Sequence, residues 1–293
     1  MHLSYHFLSL SLSIRSYHFA YFPVANRVFQ LSTMQTLIRD SFGYKLPNLP
    51  SKSPGKDYRK VSPSASTTAI EEPPIVYMRE SASDLANIAR HKLRQLQSLD
   101  LHSPALEETH FLAVEADVVR ASGLELIHPI NIVLPKLAPS ANVRCNSEVT
   151  DRSNHSRFDM KWYFADTMTT FAILEFKNTK VLNWEGFESA ACDNEDDAES
   201  KLLKARGETL LDGNAIVVSK QAKKYARTCK DVAIFDWNCM MVYDFSDVDE
   251  DASPPKPTRG IFFDEGTPAN GETFRLVLLG FLIRAINRHG RLS

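Results

Sequence analysis

The sequence has few cysteines, and their spacing excludes two kinds of site. Four cysteines occur in 293 residues, at positions 145, 192, 229 and 239, and none forms a Cys-x-x-Cys pair. A disulfide framework and a zinc finger both need a different arrangement. We therefore expect reduced thiols in an intracellular protein of the cytoplasm or the nucleus.

Long apolar runs are also absent. The best candidate, residues 276–283, is much shorter than the roughly 20 apolar residues that a membrane-spanning helix needs. Arg275 and Arg284 flank this run, which favours a helix of the protein core. We expect no membrane partner.

Acidic residues are missing from the first 33 residues, which contain no Asp, Glu or Lys and only the two arginines Arg15 and Arg27. A segment rich in Ser and Arg without acids is typical of an organellar presequence. The alternative is an over-extended start, with Met34 as the first residue of the protein. Either interpretation leaves this segment out of the predicted fold.

Prolines recur between residues 45 and 74 among Ser, Thr and Lys. This composition buries too little apolar surface to offset the entropy of ordering the chain, so it predicts a disordered linker. We assign residues 1–80 to an extension and linker, and residues 81–293 to one folded domain.

Two helices are predicted at the start of this domain. Ser81 and Asp84 resemble a capping box, and apolar residues then recur at helical spacing up to Leu96. A second helix is predicted over 106–121, with Phe111, Val114 and Val118 as its apolar stripe. Glu115 lies beside that stripe.

Glu115 has two interpretations. It is either an ordinary carboxylate at the edge of an amphipathic face or an acid turned toward an interior site. The next segment, 124–137, contains Pro129 and Pro135 and is predicted to be an extended connection.

The stretch from Phe171 to Lys177 is strand-like and carries two opposite charges. The period of two places Phe171, Ile173, Glu175 and Lys177 on one face. A charge on a partly buried face persists only if it is paired, hydrogen-bonded or bound to a metal. The ordinary interpretation is a charge pair at a strand end, and the functional one is a site.

A second strand-like run, 158–164, precedes this stretch and predicts a hairpin. If Phe171 lies opposite Tyr163, then Asp159 lies opposite Glu175 on the same face. A slip of one residue would move Asp159 to the other face. The predicted register therefore brings two acids and a lysine together.

Charge changes sign after this hairpin. An acidic stretch predicts a mobile, solvated loop, and its acids are Glu185, Glu188, Asp193, Glu195, Asp196, Asp197 and Glu199. Residues 201–230 then contain eight basic and two acidic residues, a local excess of +6. Within them a helix is predicted over 217–230, with Gln221 on the flank that faces the sheet.

Further strands are predicted at 232–235, 239–243 and 259–263, with a hairpin turn at 236–238 and a closing helix over 273–288. The fold class is therefore α/β, with a mixed central β-sheet flanked by helices.

The ordered set of motifs resembles the PD-(D/E)XK nuclease superfamily, which has the restriction-endonuclease-like fold, and in particular its fungal branch. The matching segments are Arg157-Phe-Asp159, Leu174-Glu-Phe-Lys177 and the helical Lys-Gln-Ala-x-x-Tyr that starts at Lys220. The resemblance covers residues 106–288. Phe158 replaces the Pro that is nominal before the first Asp.

The resemblance implies a nuclease that uses Mg²⁺ or Mn²⁺. In this pattern Asp159, Glu175 and the backbone carbonyl of Phe176 hold the ion, and Lys177 assists the attacking water. Gln221 and Glu115 complete the catalytic set. The implied partner is nucleic acid, with DNA favoured, and the basic helix supplies phosphate contacts through Lys220, Lys223, Lys224 and Arg227. The alternative is a nuclease fold that no longer cuts and serves as a binding or regulatory module.

Overall fold

An eight-stranded mixed sheet runs through the middle of the protein, in the order β2-β3-β4-β6-β7-β8-β1-β5. The structure is a computed structural model, and it describes residues 37–52, 61, 71–96, 109–151, 156–248, 256–266 and 271–292. All of them belong to one compact unit, Met34–Ser293. The expectations for residues 1–33 lie outside the described residues.

The strands pair in both senses. They are β1 (Tyr77–Arg79), β2 (Val143–Asp151), β3 (Ser156–Phe164), β4 (Thr170–Phe176), β5 (Ala191–Cys192), β6 (Asp231–Phe235), β7 (Cys239–Asp244) and β8 (Thr258–Asp264). The β4–β6, β1–β8 and β1–β5 pairs are parallel, and the other neighbours are antiparallel. Parallel β4 and β6 need a crossover connection, which here contains three helices.

Helices cover both faces of the sheet, so the predicted α/β class with a mixed, helix-flanked sheet is confirmed. They are α1 (Ile38–Ser41), α2 (Ala82–Leu93), α3 (Glu115–Ser122), α4 (His128–Leu137), α5 (Glu185–Glu188), α6 (Glu195–Ala205), α7 (Asn214–Tyr225) and α8 (Phe274–Arg288). Along β6, Ala233 and Phe235 join the core shared with α4 and α8, whereas Val232 and Ile234 join the core shared with α7. This alternation follows from the period of two.

Several predicted elements are confirmed. Ser81 caps helix α2, since its side chain accepts a hydrogen bond from the Ser83 N–H, and the apolar spacing of the helix buries Leu85. The β6–β7 hairpin turns at residues 236–238, as predicted. Helix α8 follows the predicted span to within one residue and is buried along most of its length. No helix among the described residues has the length and apolar content to cross a bilayer.

The predicted domain boundary at residue 81 is wrong for the parts of the linker that the structure describes. Ile38 and Phe42 are fully or almost fully buried in the core that α8 shares, and β1 forms part of the sheet. The Arg275 side chain donates hydrogen bonds to the backbone carbonyls of Ser41 and Tyr44. The prediction failed because the proline content of 45–74 was extended to its flanks, where Ile38 and Phe42 precede the prolines and β1 follows them. Residues 53–60 and 62–70 lie outside the described part.

The predicted extended connection at 124–137 is helical. Residues Gly123–Ile127 form a π-helical turn, and α4 follows directly. Pro129 lies in the first turn of α4, but the π-helical turn continues directly into this helix, so the missing N–H of Pro129 leaves the Glu125 carbonyl without its i+4 donor. The Arg275 guanidinium donates to that carbonyl instead, at 2.6 Å. The apolar residues of α4, among them Ile130 and Val133, are buried against the sheet core, and this burial outweighs the breaking effect of Pro135 inside the helix.

The predicted helix at 106–121 is shorter where it is described. It begins at Glu115, because the Asp117 carboxylate accepts hydrogen bonds from the N–H groups of Ala113 and Val114 and thereby ends the extended segment. Phe111 and Val114 are 50% and 52% exposed, so the predicted apolar stripe holds only for Val118.

The acidic stretch is ordered rather than a mobile loop. It contains α5, β5 and the first turn of α6. Asn194 caps α6 by accepting from the Asp197 N–H, and three acids occupy the first turn, where the helix dipole favours negative charge. Since α6 packs on β1 and β5, these charges lie at the sheet edge opposite to β2 and β3.

Candidate functional site

Strands β3 and β4 separate at Asp159, and this separation creates the site. The paired residues run from Tyr163 and Thr170 to Met160 and Leu174. Beyond that pair, the Phe176 N–H donates to the Asp159 carboxylate, with an N to Oδ2 distance of 2.8 Å. The side chain of Asp159 therefore takes the place that a β3 carbonyl would occupy in a continued ladder.

A β-bulge sets the register of this hairpin. We predicted that Phe171 lies opposite Tyr163, but Tyr163 pairs with Thr170 and Ala172 pairs with Trp162, so Phe171 is the extra residue. Its ring stacks on Phe164 at 4.6 Å, in the core shared with α8. The prediction that Phe171 shares the face of Glu175 is thus wrong, whereas the register from Trp162 onward agrees with the one that brings Asp159 to Glu175.

Glu175 is the best-connected acid of the site. Its Oε1 accepts from the Lys177 ammonium at 2.7 Å and from the Gln221 amide at 2.6 Å. Its Oε2 lies 3.0 Å from the Tyr225 hydroxyl. The side chains of Lys177 and Glu175 are 9% and 7% exposed, and a buried ion pair of this kind persists only when its hydrogen bonds are satisfied.

Tyr225 is the residue that the sequence interpretation missed as part of the site. Its hydroxyl contacts the Gln221 amide at 2.6 Å, the Arg157 carbonyl at 2.9 Å and the Glu175 carboxylate. Its ring packs edge-on against Phe158 at 4.9 Å. Tyr225 follows Gln221 by one helical turn, which is the signal that the sequence offers, but an aromatic residue at this spacing also fits the apolar stripe of a helix.

Glu115 joins this cluster from α3. It accepts a hydrogen bond from the backbone N–H of Asn178, the residue after Lys177. Burial raises the pKa of Glu115, the positive charge of Lys177 opposes that rise, and the negative charge of Asp159 adds to it. Glu115 as a whole residue is exposed, so it lies at the edge of the cluster, and both of its interpretations stay open.

The protonation states follow from burial and from the neighbouring charges. Burial and the charge of Glu175 raise the pKa of Asp159 to about 6. Burial alone would lower the pKa of Lys177, but the carboxylates of Glu175 and Glu115 outweigh it, and the pKa of Lys177 is raised. Lys177 is therefore an ammonium at neutral pH, surrounded by three acids.

The donor set suits a hard divalent cation. Carboxylate and carbonyl oxygens are the ligands that Mg²⁺ prefers, commonly one or two carboxylates completed by water. Asp159 Oδ1 accepts no hydrogen bond from any described residue, whereas both oxygens of Glu175 are engaged. Within the described ranges, no group of three or more His, Cys, Asp or Glu side chains is placed to share one ion.

The basic helix is partly neutralised. Lys224 is buried, and Arg227 forms an ion pair of 2.6 Å with Glu71, a residue of the segment before β1. Glu71 also interacts electrostatically with Lys224. Two of the four predicted phosphate-binding residues therefore face an acid of this chain. Lys220 and Lys223 are half-buried, and Arg227 is exposed.

Comparisons with known proteins give one distant likeness. No family model matches the sequence, and no curated protein matches it. A cryo-EM structure of a DrdV–DNA complex is similar at 15% sequence identity and a TM-score of 0.26. The match covers 69% of this chain and 14% of that chain. A likeness of this size identifies neither the family of the chain nor its function.

Proposed function

We propose that the chain is a metal-dependent nuclease that hydrolyses phosphodiester bonds of nucleic acid, with DNA as the expected substrate. The observation that carries the proposal is the buried ion pair between Lys177 and Glu175. Beside it, the Asp159 carboxylate accepts a hydrogen bond from the N–H of Phe176, the residue between the two. Ordinary surface charge pairs are exposed and contribute little to stability. A buried lysine among three acids, at the point where two strands separate, is better explained by a chemical task.

Asp159, Glu175 and the carbonyl of Phe176 would hold Mg²⁺ or Mn²⁺. When bound, such an ion supplies charge neutralisation at the scissile phosphate and a lower pKa for bound water. The free Oδ1 of Asp159 and the acidic surroundings support this assignment. Glu175 has to exchange a contact with Lys177 or Gln221 to accept the ion.

Each remaining residue has a role that its position supports. Because the pKa of Lys177 is raised, its side chain keeps its proton as an ammonium. An ammonium is suited to orient water and to stabilise charge on phosphate, and it does not accept a proton. Gln221 and Tyr225 hold the Glu175 carboxylate in place from α7. Glu115 holds the chain after Lys177 through the Asn178 N–H. Lys220 and Lys223 are the expected phosphate contacts on the helix.

A second candidate function is a nuclease fold that binds nucleic acid without cutting it. The observation that favours it is the full engagement of Glu175 by Lys177, Gln221 and Tyr225, which leaves neither oxygen free for an ion. The two candidates differ in one measurable property, which is turnover.

Nicking of supercoiled plasmid by the purified full chain tests the proposal. We expect cleavage with Mg²⁺ or Mn²⁺, none with EDTA, and a loss of at least about 100-fold in Lys177→Met, because the charge is lost while the apolar stem is kept. Lys161→Met is the matched control, since Lys161 lies on β3 over the ring of Tyr163 and outside the cluster. Thermal unfolding of both variants shows that they are folded.

Cleavage by Lys177→Met at the wild-type rate would contradict the assigned role. If the wild type and Lys177→Met are equally inert on DNA and RNA with either metal, the enzyme proposal fails. Binding of nucleic acid without turnover would then support the second candidate.

A further inference from the structure

Arg157 is an exposed cation beside the site. Its guanidinium lies 3.3 Å from Oε2 of Glu148 on the neighbouring strand β2, and the two side chains are 67% and 72% exposed. The backbone carbonyl of Arg157 accepts a hydrogen bond of 2.9 Å from the Tyr225 hydroxyl. The main chain of Arg157 is thus fixed to the site, while its side chain reaches into solvent.

The charge of Arg157 reaches the centre of the site. Its guanidinium is one of the positive charges that lower the pKa of Asp159, which burial raises. Asp159 follows Arg157 by two residues on β3, so both lie at the part of the strand that separates from β4. A ligand that reaches Asp159 therefore passes within range of Arg157.

The partner of Arg157 is easily exchanged. An exposed ion pair contributes at most about 1 kcal/mol, so its replacement by another anion costs little. A phosphate oxygen pair matches the fork of a guanidinium as well as a carboxylate does. Because the interior of the site is acidic and Glu71 faces Lys224 and Arg227, a polyanion needs a cation at this rim.

We propose that Arg157 binds the phosphate backbone of nucleic acid at the rim of the site, and that Glu148 competes with that phosphate for the Arg157 guanidinium. This inference rests on the proposed function, because it takes nucleic acid as the ligand. It assigns opposite roles to two residues that form one ion pair. Removal of Arg157 weakens binding, and removal of the Glu148 charge strengthens it.

The test is the dissociation constant of a fluorescein-labelled DNA duplex, measured by fluorescence anisotropy with the full chain in Ca²⁺, so that no turnover is needed. We expect Arg157→Gln to raise the dissociation constant about fivefold to 20-fold and to lower the salt slope by about 0.9, the value for one phosphate contact. Glu148→Gln should lower the dissociation constant about twofold to fivefold. Arg157→Lys should bind with intermediate strength, since it keeps the charge but loses the fork.

Arg94→Gln, directly after α2, and Glu199→Gln on α6 are the matched controls. Both positions are exposed, and the substitutions change the net charge by the same amounts as the test variants. Their helices contact other strands than β2 and β3, since α2 packs on β8 and α6 packs on β1 and β5. We expect dissociation constants within about twofold of the wild type, because screening weakens distant exposed charges. Equal effects of the controls and the test variants would overturn the inference, as would shifts of Arg157→Gln and Glu148→Gln in the same direction.

Plasmid cleavage by the same proteins separates this inference from the proposed function. Opposite shifts in binding without any cleavage support the phosphate contact and reject the enzyme. Cleavage with unchanged binding in both variants supports the enzyme and rejects the phosphate contact. A wild type that binds no DNA rejects the inference as well.

Discussion

Lys177 and Glu175, two residues apart at the end of β4, form a buried ion pair in which Nζ lies 2.7 Å from Oε1. Their spacing places both side chains on one face of the strand, toward α7. Gln221 and Tyr225 of that helix contact the same carboxylate. The orientation of Glu175 therefore depends on a helix that is distant in sequence.

Tyr225→Phe should reduce activity without unfolding the protein. The substitution removes the hydroxyl that contacts Glu175, Gln221 and the Arg157 carbonyl, and loss of such an outer contact typically costs about 10-fold to 100-fold in metal affinity or activity. Titration with Mn²⁺ and plasmid cleavage measure the two effects.

Tyr243→Phe is the control for this substitution. Tyr243 is another buried tyrosine, and its hydroxyl lies 2.5 Å from Ser219 Oγ, away from the carboxylates. Both variants should lose about 1 kcal/mol of stability, but only Tyr225→Phe should lose activity. Equal activities of the two would show that the Tyr225 hydroxyl serves only packing.

Affinity for a divalent cation should fall below pH 6. In the metal-free protein the pKa of Asp159 is about 6, so at lower pH an ion has to displace a proton from this carboxylate. Burial also raises the pKa of Glu115, which strengthens the dependence. We expect the association constant for Mn²⁺, measured by calorimetry, to be nearly constant above pH 7 and to fall up to about tenfold for each pH unit below 6. An association constant that is equal at pH 5 and pH 7 would exclude Asp159 as a ligand.

Arg288→Met should destabilise the protein by about 3 to 5 kcal/mol at pH 8. Asp231 and Asp244 lie directly opposite each other on β6 and β7, and Arg288 of α8 bridges both carboxylates. Without the guanidinium, two buried carboxylates face each other. Burial already raises the pKa of Asp231 to about 6, and the loss of Arg288 raises it further. The folded state of the variant then takes up a proton more readily than its unfolded state does. The loss of stability caused by Arg288→Met should therefore be smaller at pH 5 than at pH 8.

Urea unfolding at both pH values measures this effect. Arg79→Met is the control, because Arg79 pairs with Asp193 at the surface, where the side chains are 48% and 62% exposed. It should cost less than about 1 kcal/mol at either pH. If Arg288→Met loses as little stability as Arg79→Met, the carboxylates of Asp231 and Asp244 have other partners in the variant.

Removal of the segment before residue 81 should unfold the domain. The segment contributes Ile38, Phe42 and strand β1 to the core and the sheet, and it satisfies the Arg275 guanidinium. A chain that begins at residue 81 should lack a cooperative thermal transition, whereas one that begins at residue 37 should keep it. Limited proteolysis of the full chain, followed by mass spectrometry, should yield a resistant core that starts upstream of Ile38. A stable core that starts near Ser81 would contradict this.

The parts of the fold that were predictable depend on local periodicity. Helices α2 and α8 follow from apolar spacing within a single element, and this spacing also predicts the flank of α7 on which Gln221 lies. The β6–β7 hairpin follows from the turn composition of residues 236–238. The bulge at Phe171 was not predictable, because the stacking of its ring on Phe164 decides it. Likewise, nothing near Arg227 in the sequence indicates that Glu71 would pair with it.

The acids and the lysine of the candidate site were predictable, but the hydrogen bond from Tyr225 to the Glu175 carboxylate was not. Asp159, Glu175 and Lys177 lie on adjacent strands, so a hairpin register suffices to bring them together. Tyr225 looks apolar in a helical pattern, and only the tertiary structure shows its hydroxyl against Glu175. The helical state of 124–137 has the same origin, since contacts with the sheet core outweigh the two prolines.

The hydrogen bond from Arg275 to the Ser41 carbonyl joins the two ends of the described chain, and β1 pairs in parallel with β8. Neither contact can form until β8 and α8 are present, although Ser41 and β1 come first in the sequence. During synthesis, residues near position 40 emerge long before their partners in β8 and α8 exist. Contacts of such high sequence separation slow folding and leave early segments exposed to aggregation. We therefore expect the domain to complete its folding only after β8 and α8 have been synthesised.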